Sequence, residues 1–328
     1  MLISCVAQQA PSKVRHTVVD RRTWIAAISS LALGCSRRCD GADEPAPDVD
    51  VGQFRLHERS FDRSQGGPQK VVVLVPAWAS ATNPLPLLIA LHGRGEANRG
   101  LDVGAWAWVR DYGLARCAAR LRTPPLHQRD MLGLVDNAHV ERVNESLRTH
   151  PWQGVIVACP YTTDILGTDD LNAAAPFADF VADHLIPRIR ADFPVIATRD
   201  ATGIDGVSLG GRMALLAAAS RPEVFGAVGT LQAAFRVGEV SAVASTVRSA
   251  WQKPVHPSSL RVMTSKDDPF RSTLERVAHA LQGEPVNARY EEIPGPHNYA
   301  FNRGPGGIHM LLWHDRVLRG MHGNVWNP

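Results

Sequence analysis

Cysteine is scarce in this chain: five in 328 residues, none at a metal-ligand spacing. Cys5 and Cys35 fall in or at the end of the N-terminal segment. Cys39, Cys117 and Cys159 remain, an odd set in which no disulfide pair stands out. The histidines show no zinc-type spacing either; His309, His314 and His322 read as surface positions on the last helix and its tail. There is no internal repeat and no heptad pattern. No apolar run is long enough for a resident membrane helix. Charge is nearly balanced, with 35 basic against 32 acidic residues. Four of the basic residues and one of the acidic ones lie in the first 34, so the remainder is formally neutral. The composition therefore offers no support for nucleic-acid binding, and nothing in the sequence implies a metal or another cofactor.

What is present is an ordinary globular composition, 45% hydrophobic and 20% charged. The length fits one domain of about 250 residues behind an N-terminal extension. Residues 1–34 read as a leader. Arg21-Arg22 precede a short apolar stretch over 24–34, too short to stay in a membrane. The twin arginines suggest a Tat-type signal. The stretch ends Leu31-Ala32-Leu33-Gly34-Cys35, similar to a bacterial lipobox, which makes Cys35 a candidate lipidation site. The expectation is an exported bacterial protein, periplasmic or lipid-anchored to a membrane. A plain signal peptide and a cytoplasmic chain with a chance apolar stretch are the alternatives. Residues 35–52, polar and rich in Pro and Asp, read as a flexible tether. The globular domain spans 53–328.

Within that domain the pattern alternates. Strand-like runs occupy 53–61, 70–75, 85–91, 154–158, 201–205, 227–231, 260–265 and 287–293. Helical patterns fall between them, over 209–220 and 240–251, and where Phe177, Val181, Leu185 and Ile189 repeat every fourth residue. Alternation of this kind predicts an α/β protein with a mostly parallel central sheet and helices on both faces.

The most informative feature is Gly206-Val207-Ser208-Leu209-Gly210, where the 201–205 strand ends and the Ala/Leu-rich helix begins. Gly-x-Ser-x-Gly in a strand–turn–helix context is a nucleophile elbow. The turn strains the serine backbone, and only glycine fits beside it. Ser208 would then stand exposed above the sheet.

A serine hydroxyl needs a base to remove its proton, and the imidazole that does so needs a carboxylate to fix its tautomer. Both candidates follow downstream. Asp267-Asp268-Pro269-Phe270 comes after the 260–265 strand, and Gly295-Pro296-His297 after the 287–293 strand. Each sits past the C-terminal end of a strand, where catalytic groups gather in an open parallel sheet. The order Ser208, Asp268, His297 is that of the α/β-hydrolases. Of the adjacent aspartates, one can orient His297 while the other caps the next helix, with Pro269 at its first position. Upstream, the apolar 85–91 run ends in His92-Gly93-Arg94-Gly95-Glu96. A glycine-rich loop there supplies one N–H of an oxyanion hole, from Gly93 or Arg94, and Leu209 supplies the other.

Four segments, LIALHG at 88–93, GVSLGG at 206–211, DDPF at 267–270 and GPHNYAF at 295–301, resemble the esterase-D-like branch of the α/β-hydrolase superfamily, with S-formylglutathione hydrolases and feruloyl esterases among its members. The resemblance covers roughly residues 69–320. It implies the α/β-hydrolase fold, and it makes the aspartate before Pro-Phe, Asp268, the triad acid. Tyr299 and Phe301 stand where that branch usually has tryptophan, and residues 302–307 look like an insertion.

Trp106 and Trp108 either line the substrate cleft or pack a helix; Gln232 and Tyr299 are further pocket candidates. The expected activity is serine-dependent cleavage of a small-molecule or carbohydrate-linked carboxylic ester through an acyl-enzyme. Acyl transfer, thioester or peptide cleavage on the same triad remain open, as does a non-catalytic surface lipoprotein.

Overall fold

The computed structural model describes residues 53–61, 67–252, 259–286 and 288–322. The leader, Cys35, Cys39 and the tether lie outside the described residues.

Eight strands form one sheet: β1 (Phe54–Phe61), β2 (Gln69–Pro76), β3 (Leu87–Leu91), β4 (Ile156–Pro160), β5 (Thr202–Gly206), β6 (Ala227–Leu231), β7 (Ser259–Asp267) and β8 (Arg289–Pro296). Their spatial order is β1-β2-β4-β3-β5-β6-β7-β8. The first two strands pair antiparallel, and β2 pairs antiparallel with β4; from β4 onward every pairing is parallel. Strands β3 to β6 are buried along their whole length, as central strands covered on both faces must be. The predicted 85–91 strand starts at Leu87, because Pro86 has no N–H for a ladder. The predicted 287–293 strand continues to Pro296.

The main helices are α1 (Arg94–Ala97), α2 (Leu114–Arg122), α3 (Asn137–Thr149), α4 (Ala175–Phe180), α5 (Ile186–Asp192), α6 (Leu209–Ser220), α7 (Val240–Trp251), α8 (Arg271–Ala280) and α9 (Gly307–Val317). Asp136 caps α3 by accepting from the His139 N–H at 2.7 Å. The expected helix through Phe177, Val181, Leu185 and Ile189 runs from α4 into α5 by a widened π turn over Val181–Leu185. Pro187 follows, and it has no N–H to give to that turn.

Alternate residues of each strand face opposite layers. Val71, Val73, Leu87, Ile89, Ile204, Val228 and Val262 pack under α4 to α8. Val72, Leu74, Leu88, Ala90, Val157 and Met263 pack under α2, α3 and α9. This is the α/β architecture the sequence predicts, with layers on both faces of the sheet.

Helix α9 departs from expectation. His309 and His314, read from sequence as surface residues, are buried, whereas His322 is exposed. Every residue of α9 is buried. Its polar groups reach partners far away in sequence. His314 Nε2 lies 3.1 Å from Asp205 Oδ2 on β5, and His309 Nδ1 lies 3.0 Å from Glu291 Oε1 on β8. Arg261 on β7 joins both sets, 3.2 Å from Asp205 and donating at 3.0 Å to the His309 carbonyl. Pairing of this kind is what allows charged groups inside a core. Cys117 and Cys159 are buried free thiols.

Candidate active site

Four strand ends on the C-terminal edge of the sheet, those of β3, β5, β7 and β8, build the site. On β5, the chain turns sharply into α6 at Ser208, whose φ of 56° and ψ of −113° lie in a strained region for a residue with a Cβ. Neighbouring strands hold this turn. The Val207 N–H donates to the Leu91 carbonyl at 3.0 Å, and the Ser208 N–H to the Leu231 carbonyl at 2.9 Å. A Cβ on Gly206 would overlap the Gly210 backbone, and one on Gly210 would overlap the Leu91 carbonyl. The Gly-x-Ser-x-Gly pattern is thus required by close approach of backbone to backbone. The Leu209 N–H, first in α6, has no intramolecular acceptor among the described residues.

On β7, a register shift between Ser265 and Asp267 breaks the ladder as the strand ends. Asp267 is exposed and Asp268 is buried. Asp268 Oδ2 accepts from the Thr264 hydroxyl at 2.6 Å, and Oδ1 accepts from the Phe270 N–H at 2.9 Å. Oδ1 also lies 3.0 Å from His297 Nδ1. Asp268 thus holds both the following turn and the histidine, while the expected helix cap is not formed: the next helix starts at Arg271, after Pro269, with Phe270 at its N-cap and no side-chain cap. His297 comes from the loop after β8, and its Nδ1 faces Asp268, leaving Nε2 as the other ring nitrogen. The Phe270 ring packs edge-on against the imidazole, with centroids 5.6 Å apart.

On β3, the loop His92-Gly93-Arg94 opens α1. His92 is buried as a strut. Its Nε2 accepts from the Thr162 N–H at 2.8 Å and its Nδ1 lies 2.9 Å from the Gly93 carbonyl. That geometry needs a neutral ring with the proton on Nδ1. Burial lowers its pKa to about 4, against a smaller upward pull from the Gly93 carbonyl. Of the two oxyanion candidates, the Gly93 N–H is already donated to the Tyr112 hydroxyl at 3.0 Å. The Arg94 N–H has no acceptor among the described residues.

A pH prediction follows from His92. Between pH 6.5 and about 4 the unfolded chain binds a proton at this residue that the folded chain does not. Stability should therefore fall as pH drops through that window, by up to about 3 kcal/mol from this group. Urea unfolding midpoints near neutral pH and near pH 4 measure the slope. His92→Asn should be less stable than the natural chain at neutral pH but flatter with pH; an equally steep variant would contradict the assignment.

The pocket candidates fare unevenly. Trp108 is fully buried in the α2–α3 layer, edge-on to Tyr112, and packs rather than lining a cleft. Trp106 donates its indole N–H to Glu58 on the edge strand β1, at 2.8 Å, and carries the Arg110 guanidinium over its ring. It is tied to the β1 end of the sheet, whereas the His297 loop follows β8 at the other end. Gln232 is also enclosed. In a left-handed conformation, with φ of 50°, it donates through Nε2 to Ser265 Oγ at 2.5 Å and to the Pro296 carbonyl at 3.0 Å. It braces the strand ends beneath His297 instead of opening onto a pocket. Tyr299 is exposed and lies beside the oxyanion loop, donating to Glu96 Oε1 at 2.5 Å. Phe301 is buried, and within residues 302–306 Gly304 lies against the Met131 backbone. The roles of Glu96 and Tyr112 had no signal in the sequence. No group of metal-ligating side chains occurs among the described residues.

Residues 168–280 match the family model described as putative esterase. That stretch holds the elbow and the acid loop; His297 and the β3 loop lie outside it. No curated protein matches the chain. Among solved structures, an S-formylglutathione hydrolase from Staphylococcus aureus is similar at 17% identity and a TM-score of 0.55, over 80% of this chain and 99% of the other. A serine-to-alanine mutant of the feruloyl esterase module from Clostridium thermocellum, complexed with sinapinate, is similar at 14% identity and 0.58, over 85% and 93%. A fluorophosphonate-binding serine hydrolase from Staphylococcus aureus is similar at 17% identity and 0.50, over 84% and 100%. Family match and architecture point the same way: residues 168–280 match the putative esterase model, and the chain carries the α/β-hydrolase fold of these solved structures.

Proposed function

We propose that the chain is a carboxylic-ester hydrolase working through Ser208, His297 and Asp268. The observation that carries this is the 3.0 Å contact between His297 and a buried Asp268 on the same sheet edge as the strained Ser208 turn. Asp268 keeps the Nδ1 proton of His297 in place, so Nε2 is the nitrogen that takes a proton. Ser208 Oγ attacks the ester carbonyl carbon and its proton passes to Nε2. The carbonyl oxygen becomes an oxyanion that receives the Leu209 and Arg94 N–H groups, each contributing about 3 kcal/mol to the barrier reduction. The intermediate collapses, and the alcohol leaves with the proton from His297. Water then repeats the sequence on the acyl-enzyme, releasing the acid and restoring Ser208.

The substrate class is a small-molecule carboxylic ester; in support, one similar structure is a feruloyl esterase module complexed with sinapinate. A fluorophosphonate probe tests the reading directly. The natural chain should be labelled covalently, with the adduct on the peptide holding Ser208. A folded chain that stays unlabelled would rule the proposal out.

A further inference from the structure

The oxyanion loop follows β3 and the histidine loop follows β8, and β5, β6 and β7 lie between them in the sheet. Among the described residues no strand pairing connects the two loops. A chain of side-chain hydrogen bonds does. The Gly93 N–H donates to the Tyr112 hydroxyl at 3.0 Å, and that hydroxyl donates to Glu96 Oε2. The other oxygen, Glu96 Oε1, accepts from the Tyr299 hydroxyl at 2.5 Å. Tyr299 stands two residues after His297. Its backbone is fixed by Asn298, whose side chain accepts from the Ala300 and Phe301 N–H groups. The Tyr112 and Tyr299 rings also face each other, with centroids 5.8 Å apart.

The cost of burying the Glu96 carboxylate is offset by two phenol donors, one from each side. Both phenols gain from staying protonated: burial first, then Glu96, raises the pKa of each. On the loop itself, the Gly93 carbonyl accepts from His92 Nδ1 at 2.9 Å and from the Ala97 N–H at 3.2 Å. The Arg94 N–H sits on the other end of that same planar trans peptide, so its direction is fixed as well.

We propose that Tyr112, Glu96 and Tyr299 form a positioning bridge that sets the separation between the Arg94 N–H and His297. The inference rests on the triad reading above and adds residues to it that do not touch the substrate. Base and oxyanion donor act on one tetrahedral centre from different sides, so the spacing of their loops enters the rate. A misplacement of about 1 Å costs on the order of 10²-fold. The bridge also explains why the Gly93 N–H is not the donor: it is consumed in holding the loop.

The test uses Tyr112→Phe, Tyr299→Phe and the double variant. For each, kcat and KM on p-nitrophenyl acetate are normalised to sites titrated with a fluorophosphonate probe. Inhibition by phenylboronic acid, which forms a tetrahedral serine adduct, is measured alongside. Tyr112→Phe should lower kcat per titrated site roughly 10–100-fold with KM within about threefold, and should weaken boronate inhibition by a similar factor. Tyr299→Phe should lower kcat roughly three- to tenfold. The double variant should lose less than the product of the two, because both act through Glu96. A merely structural role would reduce melting temperature and the number of titrated sites while leaving kcat per site unchanged. Should Tyr112→Phe fail to fold, the exposed Tyr299 carries the test. Per-site kcat and boronate inhibition within twofold of the natural chain in the variants that fold would overturn the bridge. Activity surviving in Ser208→Ala would instead overturn the triad reading beneath it.

Discussion

Ser208→Ala should lower kcat on a short-chain p-nitrophenyl ester by about 10⁴-fold or more while leaving the fold intact. The size of the effect comes from the way a triad works: without the hydroxyl, Asp268 and His297 have nothing to activate. The fold survives because the strain at Ser208 is imposed by its neighbours. The Ser208 N–H is tied to the Leu231 carbonyl, and the Ser208 carbonyl accepts from the Ala234 N–H at 3.0 Å and the Arg212 N–H at 3.1 Å. Alanine keeps all of these bonds. Steady-state rates and a circular-dichroism melt on the same preparation check both halves. Activity within tenfold of the natural chain would remove Ser208 as nucleophile.

The second large effect separates two adjacent carboxylates. Asp268→Asn should cost about 10²–10⁴-fold in kcat, and Asp267→Asn less than about tenfold. Asp268 accepts three bonds, from the Thr264 hydroxyl, the Phe270 N–H and His297. An amide has only one oxygen, so asparagine cannot serve all three. If its NH₂ faces His297, the ring must turn its lone pair inward, and the proton moves to the nitrogen that should act as base. Asp267 has no comparable position: its side chain is exposed, and its backbone bridges to Pro296 beside the bulge. The reverse ranking in measured rates would move the acid one residue upstream.

The fold and the positions of the candidate trio were legible because their signals are local. Strands β3, β4 and β6 are short apolar runs, and the candidate elbow, acid and histidine sit in short motifs directly past strand ends. The rest depends on contacts between distant residues. His314 looked like a surface residue because nothing near position 314 reveals Asp205, its partner 109 residues earlier. The choice between Gly93 and Arg94 turns on Tyr112, 19 residues on, whose hydroxyl occupies one of the two N–H groups. Trp108 and Trp106 differ by two positions in sequence, yet one is buried under the sheet and the other bonds Glu58 at its edge. Nor does alternation along a strand foretell a bulge, which here puts Asp267 in solvent and Asp268 inside.

Helix α9 ties the elbow strand to groups remote from the candidate chemistry. His314 on α9 and Arg261 on β7 both reach Asp205, three residues before Ser208. Removing either partner would leave a buried carboxylate with fewer neighbours, and the disturbance would reach the elbow from behind. Sensitivity of the Ser208 turn to substitution therefore extends to residues that no substrate meets.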